Sequence, residues 1–139
     1  CNIQSIKSTK RIFAKGDVLF GKLRPALNKV AYANCDGICS TDIIVLRAKD
    51  KNIMPEFYSI LLRNADFNAM VLNGCSGGQL PRVDIDYLLD LPIHNVPKDE
   101  QEQLMAQIVA EESLIAPSEQ MITLFSEKLK HRTKEIWGE

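Results

Sequence analysis

Residues Asp17 to Ala48, DVLFGKLRPALNKVAYANCDGICSTDIIVLRA, carry the reading that decides the fold. Three runs rich in Val, Ile, Leu and aromatic residues (VLF, KVAYA and ICSTDIIVLRA) are separated by Leu23-Arg24-Pro25 and by Asn34-Cys35-Asp36-Gly37, both of which are turn chemistry. The pattern predicts a sheet whose core is drawn from Val18, Leu19, Val30, Ile43, Ile44 and Val45. Downstream, Pro55 opens a helix over PEFYSILLRN, a second short helix covers Asp66 to Leu72, and Asp84 caps a third containing Ile85, Leu88 and Leu89. LPIHNV then reads as an extended exit bounded by Pro92 and Pro97.

After Pro97 the composition turns to Glu, Gln, Lys, Leu and Ile, and Asp99 with Glu102 resembles a capping-box start. Ile108, Ile115, Ile122, Leu129 and Ile136 recur every seventh residue, the strongest periodic signal in the chain. Leu104, Leu114, Met121, Leu124 and Phe125 widen the stripe, whereas Glu111, Ser118 and Arg132 spoil the second seam. The column predicts a helix, or two in series, packed lengthwise on another long helix, the alternative being a helix folded back onto its own domain. Pro117 costs about 3 kcal/mol inside a helix, so a hinge or helix-to-helix turn is expected over 115–118. The fold class is α/β, more narrowly α+β: a β-rich domain over 1–97, then a long helix or kinked helical pair over 98–139.

With 139 residues, 45% of them hydrophobic, the chain can bury one ordinary core plus an appended element. No apolar run is long enough to cross a bilayer and no basic-then-apolar leader opens the chain, so a cytoplasmic protein without membrane contact is expected. The start at Cys1, without methionine, suggests an excised fragment or a chain that lacks a disordered start. Four cysteines (Cys1, Cys35, Cys39, Cys75) and two histidines (His94, His131) match no zinc spacing or small disulfide framework. Structural thiols in a reducing compartment are expected, with no metal and no cofactor.

The net charge of −1 hides an uneven distribution. Residues 1–30 carry seven Lys/Arg against Asp17 alone, and residues 83–127 carry ten Asp/Glu against Lys98. Two readings stay open: a basic end that meets a polyanion while the middle does not, or a basic face that is merely solvated.

The loop GCSGGQLPR, Gly74 to Arg82, matches G-x-S-x-G. A nucleophile elbow needs a helix straight after its serine, and Leu80-Pro81-Arg82 disfavours one. Ser76, Asp86 or Asp90, and His94 give a hydrolase order only by crowding into nineteen residues. No Lys-Ser/Thr pair closes a phosphate loop. Two readings stay open: a plain turn, or a loop presenting Gln79 and Arg82, side chains able to read adenine and guanine.

Taken in order, several short motifs resemble a known family. They are Lys15-Gly16-Asp17-Val18-Leu19-Phe20; Lys22-Leu23-Arg24-Pro25 with Asn28-Lys29-Val30-Ala31; Gly37-Ile38-Cys39-Ser40-Thr41 with Ile44-Val45-Leu46-Arg47; the Gly74/Gly77 loop with Pro81-Arg82; Leu91-Pro92-Ile93 through Pro97; and Glu100-Gln101 leading to Ile108. The set is similar to the target recognition domain and conserved helix of type I restriction-modification specificity subunits, and covers nearly the whole chain. The resemblance implies a non-catalytic reader of one half of a split DNA site, with long helices that separate two such domains and dock the methyltransferase. Its implied partners are double-stranded DNA, a methyltransferase (modification) subunit that methylates adenine with S-adenosylmethionine, and a restriction subunit that cleaves. Residues 1–97 then form a target recognition domain, incomplete at its N-terminus, and 98–139 a helical spacer and dimerisation region.

A full subunit of that family carries two recognition domains and this chain holds one. It is expected to be part of a larger polypeptide, or a half-length subunit that pairs as a homodimer through Ile108, Ile115, Ile122, Leu129 and Ile136. Side-chain chemistry nominates Lys7, Lys10, Lys15, Lys22 and Lys29 for phosphates, and Arg24, Gln79 and Arg82 for base edges or backbone clamps. Ser40 and Thr41 could donate to phosphates or bond within the sheet. The alternatives are a protein-binding helical adaptor with an inert α/β head, the recognition domain of a single-chain methyltransferase-nuclease, and a small serine hydrolase.

Overall fold

The computed structural model describes residues 9–76 and 78–137. In chain order the elements are β1 (Lys10–Phe13), β2 (Val18–Gly21), a 3-10 turn (Pro25–Leu27), β3 (Val30–Tyr32), β4 (Gly37–Ser40), β5 (Ile43–Leu46), α1 (Pro55–Leu61), α2 (Ala65–Asn73), β6 (Cys75–Ser76), β7 (Arg82–Val83), α3 (Ile85–Asp90) and α4 (Lys98–Trp137). The chain divides into two compact units, Cys1–Lys98 and Asp99–Glu139. It is an α+β fold, with small antiparallel sheets followed by a long helix.

Strand β2 is the centre of a three-stranded antiparallel sheet ordered β3-β2-β5. Phe20 stands opposite Val30 on one side and Ile44 on the other. Because side chains alternate along a strand, Val18 and Phe20 share one face and are buried with Val30 and Ile44. The same alternation corrects part of the expected core. Leu19, Ile43 and Val45 are only half-buried, since Leu19 and its partner Val45 fall on the opposite face. The core face is covered by Leu62, Phe67 and Val71, and Val83 and Leu88 complete the cluster.

The helices begin where their capping chemistry dictates. Pro55 opens α1 at a position whose N–H needs no partner. That helix ends sooner than PEFYSILLRN suggests, because Asn64 turns its side-chain oxygen to the N–H of Asp66 at 2.7 Å and starts α2. Asp84 caps α3 as expected, accepting from the N–H groups of Asp86 and Tyr87 at 3.0 and 3.1 Å. Gly74, ending α2, lies against the ring of Tyr87, where a side chain would collide with it. The Tyr87 hydroxyl donates to the Met70 carbonyl at 3.0 Å.

A tight turn joins β1 to β2 around Gly16, whose φ of +94° is glycine territory. Asp17 follows, 2% exposed, and its carboxylate accepts the Ala14 N–H and a forked pair from Arg47.

Helix α4 is 40 residues long and stays helical across Pro117. Of the two outcomes expected at 115–118, a hinge or a helix-to-helix turn, the turn does not form. Proline removes one ladder bond without forcing the chain to reverse, so the helix accommodates it internally. Asp99 lies in the first turn rather than at the cap, where its charge favours the positive end of the helix dipole. Ser113, Ser118, Thr123, Ser126 and Thr133 each donate a hydroxyl to a carbonyl one turn back. Ile115, Ile122, Leu129 and Ile136 are all more than half exposed, and Leu114, Met121 and Phe125 with them. Ile108 is half-buried. Among the described residues, no helix is long and apolar enough to cross a membrane.

Candidate nucleic-acid interface

The register of the strands brings distant residues to one end of the sheets. Lys10, opening β1, pairs with Ser40, closing β4. The chain turns through Thr41 and Asp42 into β5. Gly21, closing β2, pairs with Ile43, and its N–H bonds the Lys29 carbonyl at 2.8 Å. The Lys22 N–H then donates to the Asp42 carbonyl at 2.9 Å. Lys10, Lys22, Lys29, Ser40, Thr41 and Asp42 therefore share one rim, although up to thirty-two residues separate them in the chain.

The glycine-rich loop joins this rim through backbone pairing. Strand β7 pairs with β6, setting Arg82 opposite Ser76, and Leu23 bridges Arg82 from the other side. The Arg24 N–H donates to the Pro81 carbonyl at 2.8 Å and the Val83 N–H to the Lys22 carbonyl at 3.1 Å. These bonds place Arg24 and Arg82 on the same short ribbon, with Gln79 exposed in the loop before it.

Arg24 has left-handed backbone, φ 50° and ψ 63°, directly before Pro25. That conformation is unfavourable for a side chain bearing a Cβ, and more so before proline. It is held by the Pro81 bond and by the Leu27 N–H, which donates to the Arg24 carbonyl at 3.0 Å. Asn28, also left-handed, closes the turn and donates its side-chain amide to the Arg63 carbonyl at 2.6 Å. The exposed arginine is thus fixed at its Cα by surrounding structure.

Asp42, which the sequence did not single out as a site residue, lies among these cations. Its carboxylate accepts from Arg82 Nε at 3.3 Å, and its N–H donates to Ser40 Oγ at 3.2 Å. Ser-Thr-Asp lies inside ICSTDIIVLRA, which reads as one run, whereas the structure breaks it into β4 and β5 at a turn through Thr41 and Asp42. The arrangement offers hydroxyls and cations to a polyanion, with one carboxylate to restrain them.

Lys15 is set apart. Its N–H donates to Asp36 Oδ1 at 2.8 Å, at the other end of β1 and β4 from the Asp42 turn. Lys7 and Gly77 lie outside the described residues.

The serine reading finds no geometry. Ser76 lines an open cleft of about 450 Å³ with Lys22, Arg82, Asp84 and Asp86. His94 lines separate clefts, one of about 470 Å³ with Leu46, Tyr58, Leu62 and Leu89. Burial pushes the Cys75 thiol up from its ordinary value, and it donates to the Val71 carbonyl, so it stays a neutral packing group. Among the described residues, no three His, Cys, Asp or Glu side chains group in a way that could hold a metal ion.

Comparison with known proteins gives the family. The family described as type I restriction modification DNA specificity domain matches residues 3–111. The type I restriction enzyme EcoDI specificity subunit of Escherichia coli is 28% identical over 103 residues, which cover 74% of this chain. The matched segment spans 22% of that relative's length. With the family matched over most of its length, this chain belongs to the type I restriction modification DNA specificity domain family.

Proposed function

We propose that the chain is a sequence-reading module of a type I restriction-modification complex that sets its rim of Lys10, Lys22, Arg24, Lys29, Ser40, Thr41, Gln79 and Arg82 against double-stranded DNA. The observation that supports this is the convergence of Lys10, Lys22, Lys29, Ser40 and Thr41 by strand register, with Arg82 joined to them by the Leu23 bridge and Arg24 by its bond to Pro81. Lysines and hydroxyls supply phosphate contacts, which fix position, while Arg24, Gln79 and Arg82 supply the chemistry of base edges. The module is non-catalytic, working in the cytoplasm. A partner modification subunit methylates adenine and a restriction subunit cleaves, both directed by what this chain reads.

Residues 1–97 act as the recognition domain and 98–139 as the spacer. The exposed column Ile115, Ile122, Leu129 and Ile136, with Ile108, supports docking of α4 on another helix, supplied by a second copy or by the rest of a longer subunit. With a net charge of −1, the chain alone binds DNA weakly, and affinity arises on assembly.

The test is duplex binding across a salt series by the subunit assembled with its modification partner, unmodified and with Arg24→Glu. The reading expects the reversal to weaken binding by tenfold or more and to flatten the salt dependence. Binding untouched by Arg24→Glu, with partner assembly intact, would favour the adaptor with an inert head.

A further inference from the structure

We propose that Asp42 is a positioning residue for base recognition: it holds the Nε edge of Arg82 so that the terminal guanidinium nitrogens form a fork for a guanine of the target duplex. This inference rests on the DNA-reading function proposed above.

A carboxylate on a cationic rim opposes binding of a polyanion, so its presence needs a reason. Asp42 is turned by its own backbone, through the Ser40 hydroxyl, into contact with Arg82. The hydrogen bond that Asp42 accepts comes from Nε, at 3.3 Å, the edge of the guanidinium away from its end-on fork. The two terminal nitrogens make that fork, which matches guanine O6 and N7 in the major groove.

The backbone beneath this side chain is fixed as well. Arg82 is paired to Ser76 on one side and bridged by Leu23 on the other, and the Lys22 N–H ties that ribbon to the Asp42 carbonyl. With Cα and Nε both held, fewer rotamers are lost when the fork meets a base. Arg82 is 49% exposed at its side chain and Asp42 34%, so both remain within reach of a ligand. An ion pair this exposed adds little to stability, and its value lies in orientation.

The experiment is selection from a random duplex library by the natural full-length polypeptide assembled with its modification partner. It is run unmodified and with Arg82→Lys, Asp42→Asn and Asp42→Glu, with the melting temperature of each assembly measured in parallel. The unmodified protein is expected to enrich a motif containing a guanine. Arg82→Lys and Asp42→Asn should each relax that same position by roughly tenfold to a hundredfold, the discrimination carried by one bidentate pair. Asp42→Asn should also raise affinity for unselected duplex, because a repelling charge is gone, and Asp42→Glu should restore part of the preference.

A guanine relaxed by Arg82→Lys but kept by Asp42→Asn overturns the positioning role and leaves the DNA-reading function standing. A change at a different base pair overturns it also, because Asp42 would then read a base itself. No enriched motif from the unmodified assembly overturns the proposed function, and this inference with it.

Discussion

Asp17 and Arg47 are joined by a two-pronged ion pair, Arg47 Nε to Oδ1 and Nη2 to Oδ2, both at 2.7 Å. The pair ties the turn before β2 to the residue after β5, locking the two strands that carry the rim at their far ends. The guanidinium of Arg47 holds the Asp17 carboxyl below its ordinary value, outweighing burial, which pushes it up. A depressed carboxylate contributes stability that is present in full above the unfolded value of about 3.9 and fades as the pH falls through the folded value. Melting temperature should therefore drop on acidification below about pH 4. Asp17→Asn should destabilise the protein by about 1–3 kcal/mol at pH 7, with a smaller deficit at pH 3. Thermal melts of both proteins across pH 2.5–7 check this, and parallel curves would contradict it.

The left-handed backbone of Arg24 predicts opposite effects on stability and binding. Arg24→Gly should stabilise the fold by up to about 1 kcal/mol, because strain is relieved faster than glycine entropy is added, whereas Arg24→Ala keeps the strain and gains nothing. Both should lose duplex affinity to a similar degree. Urea unfolding alongside duplex titration separates the two effects.

Gly74 is kept by packing rather than by chemistry. Gly74→Ala should cost about 1–3 kcal/mol through the Tyr87 ring, and Tyr87→Phe about 1 kcal/mol through the lost bond to Met70. Ser76→Ala, on the exposed side of β6, should change stability by less than about 0.5 kcal/mol. Labelling of Ser76 by an active-site phosphonate, lost in Ser76→Ala, would revive the hydrolase.

Much of this is legible in the sequence, and the misses that bear on the rim are residues whose place depends on strand pairing. Asp84, Pro55 and the three apolar runs announce elements through local chemistry, and the structure places elements there. Strand β1 leaves no pattern in the sequence, because KRIF is almost wholly exposed and owes its state to pairing with β4. The two-residue strands β6 and β7 carry no periodicity, yet they bring Arg82 to Leu23. Asp42 had no meaning as a site residue until Arg82 stood next to it. Composition reveals a basic beginning to the chain, but only register separates Lys15 from Lys10 and Lys22.

The apolar stripe on α4 predicts an interaction that substitution should abolish. Ile115→Glu with Ile122→Glu should leave the first unit folded and eliminate helix-mediated association, read by sedimentation velocity. Pro117→Ala should raise the stability of α4 by up to about 3 kcal/mol, seen as higher helicity at elevated temperature. Unchanged association in the double variant would assign the partner surface elsewhere.

The two ends of β4 give the most direct test of the rim. A benzophenone side chain is placed at Thr41 in one preparation and at Asp36 in another, five residues away at the opposite end of the strand, roughly 17 Å distant. Each assembled subunit is irradiated on duplex DNA at low salt and covalent adducts are counted. The account predicts adducts from position 41 and background levels from position 36. Adducts from position 36 with none from position 41 would contradict it.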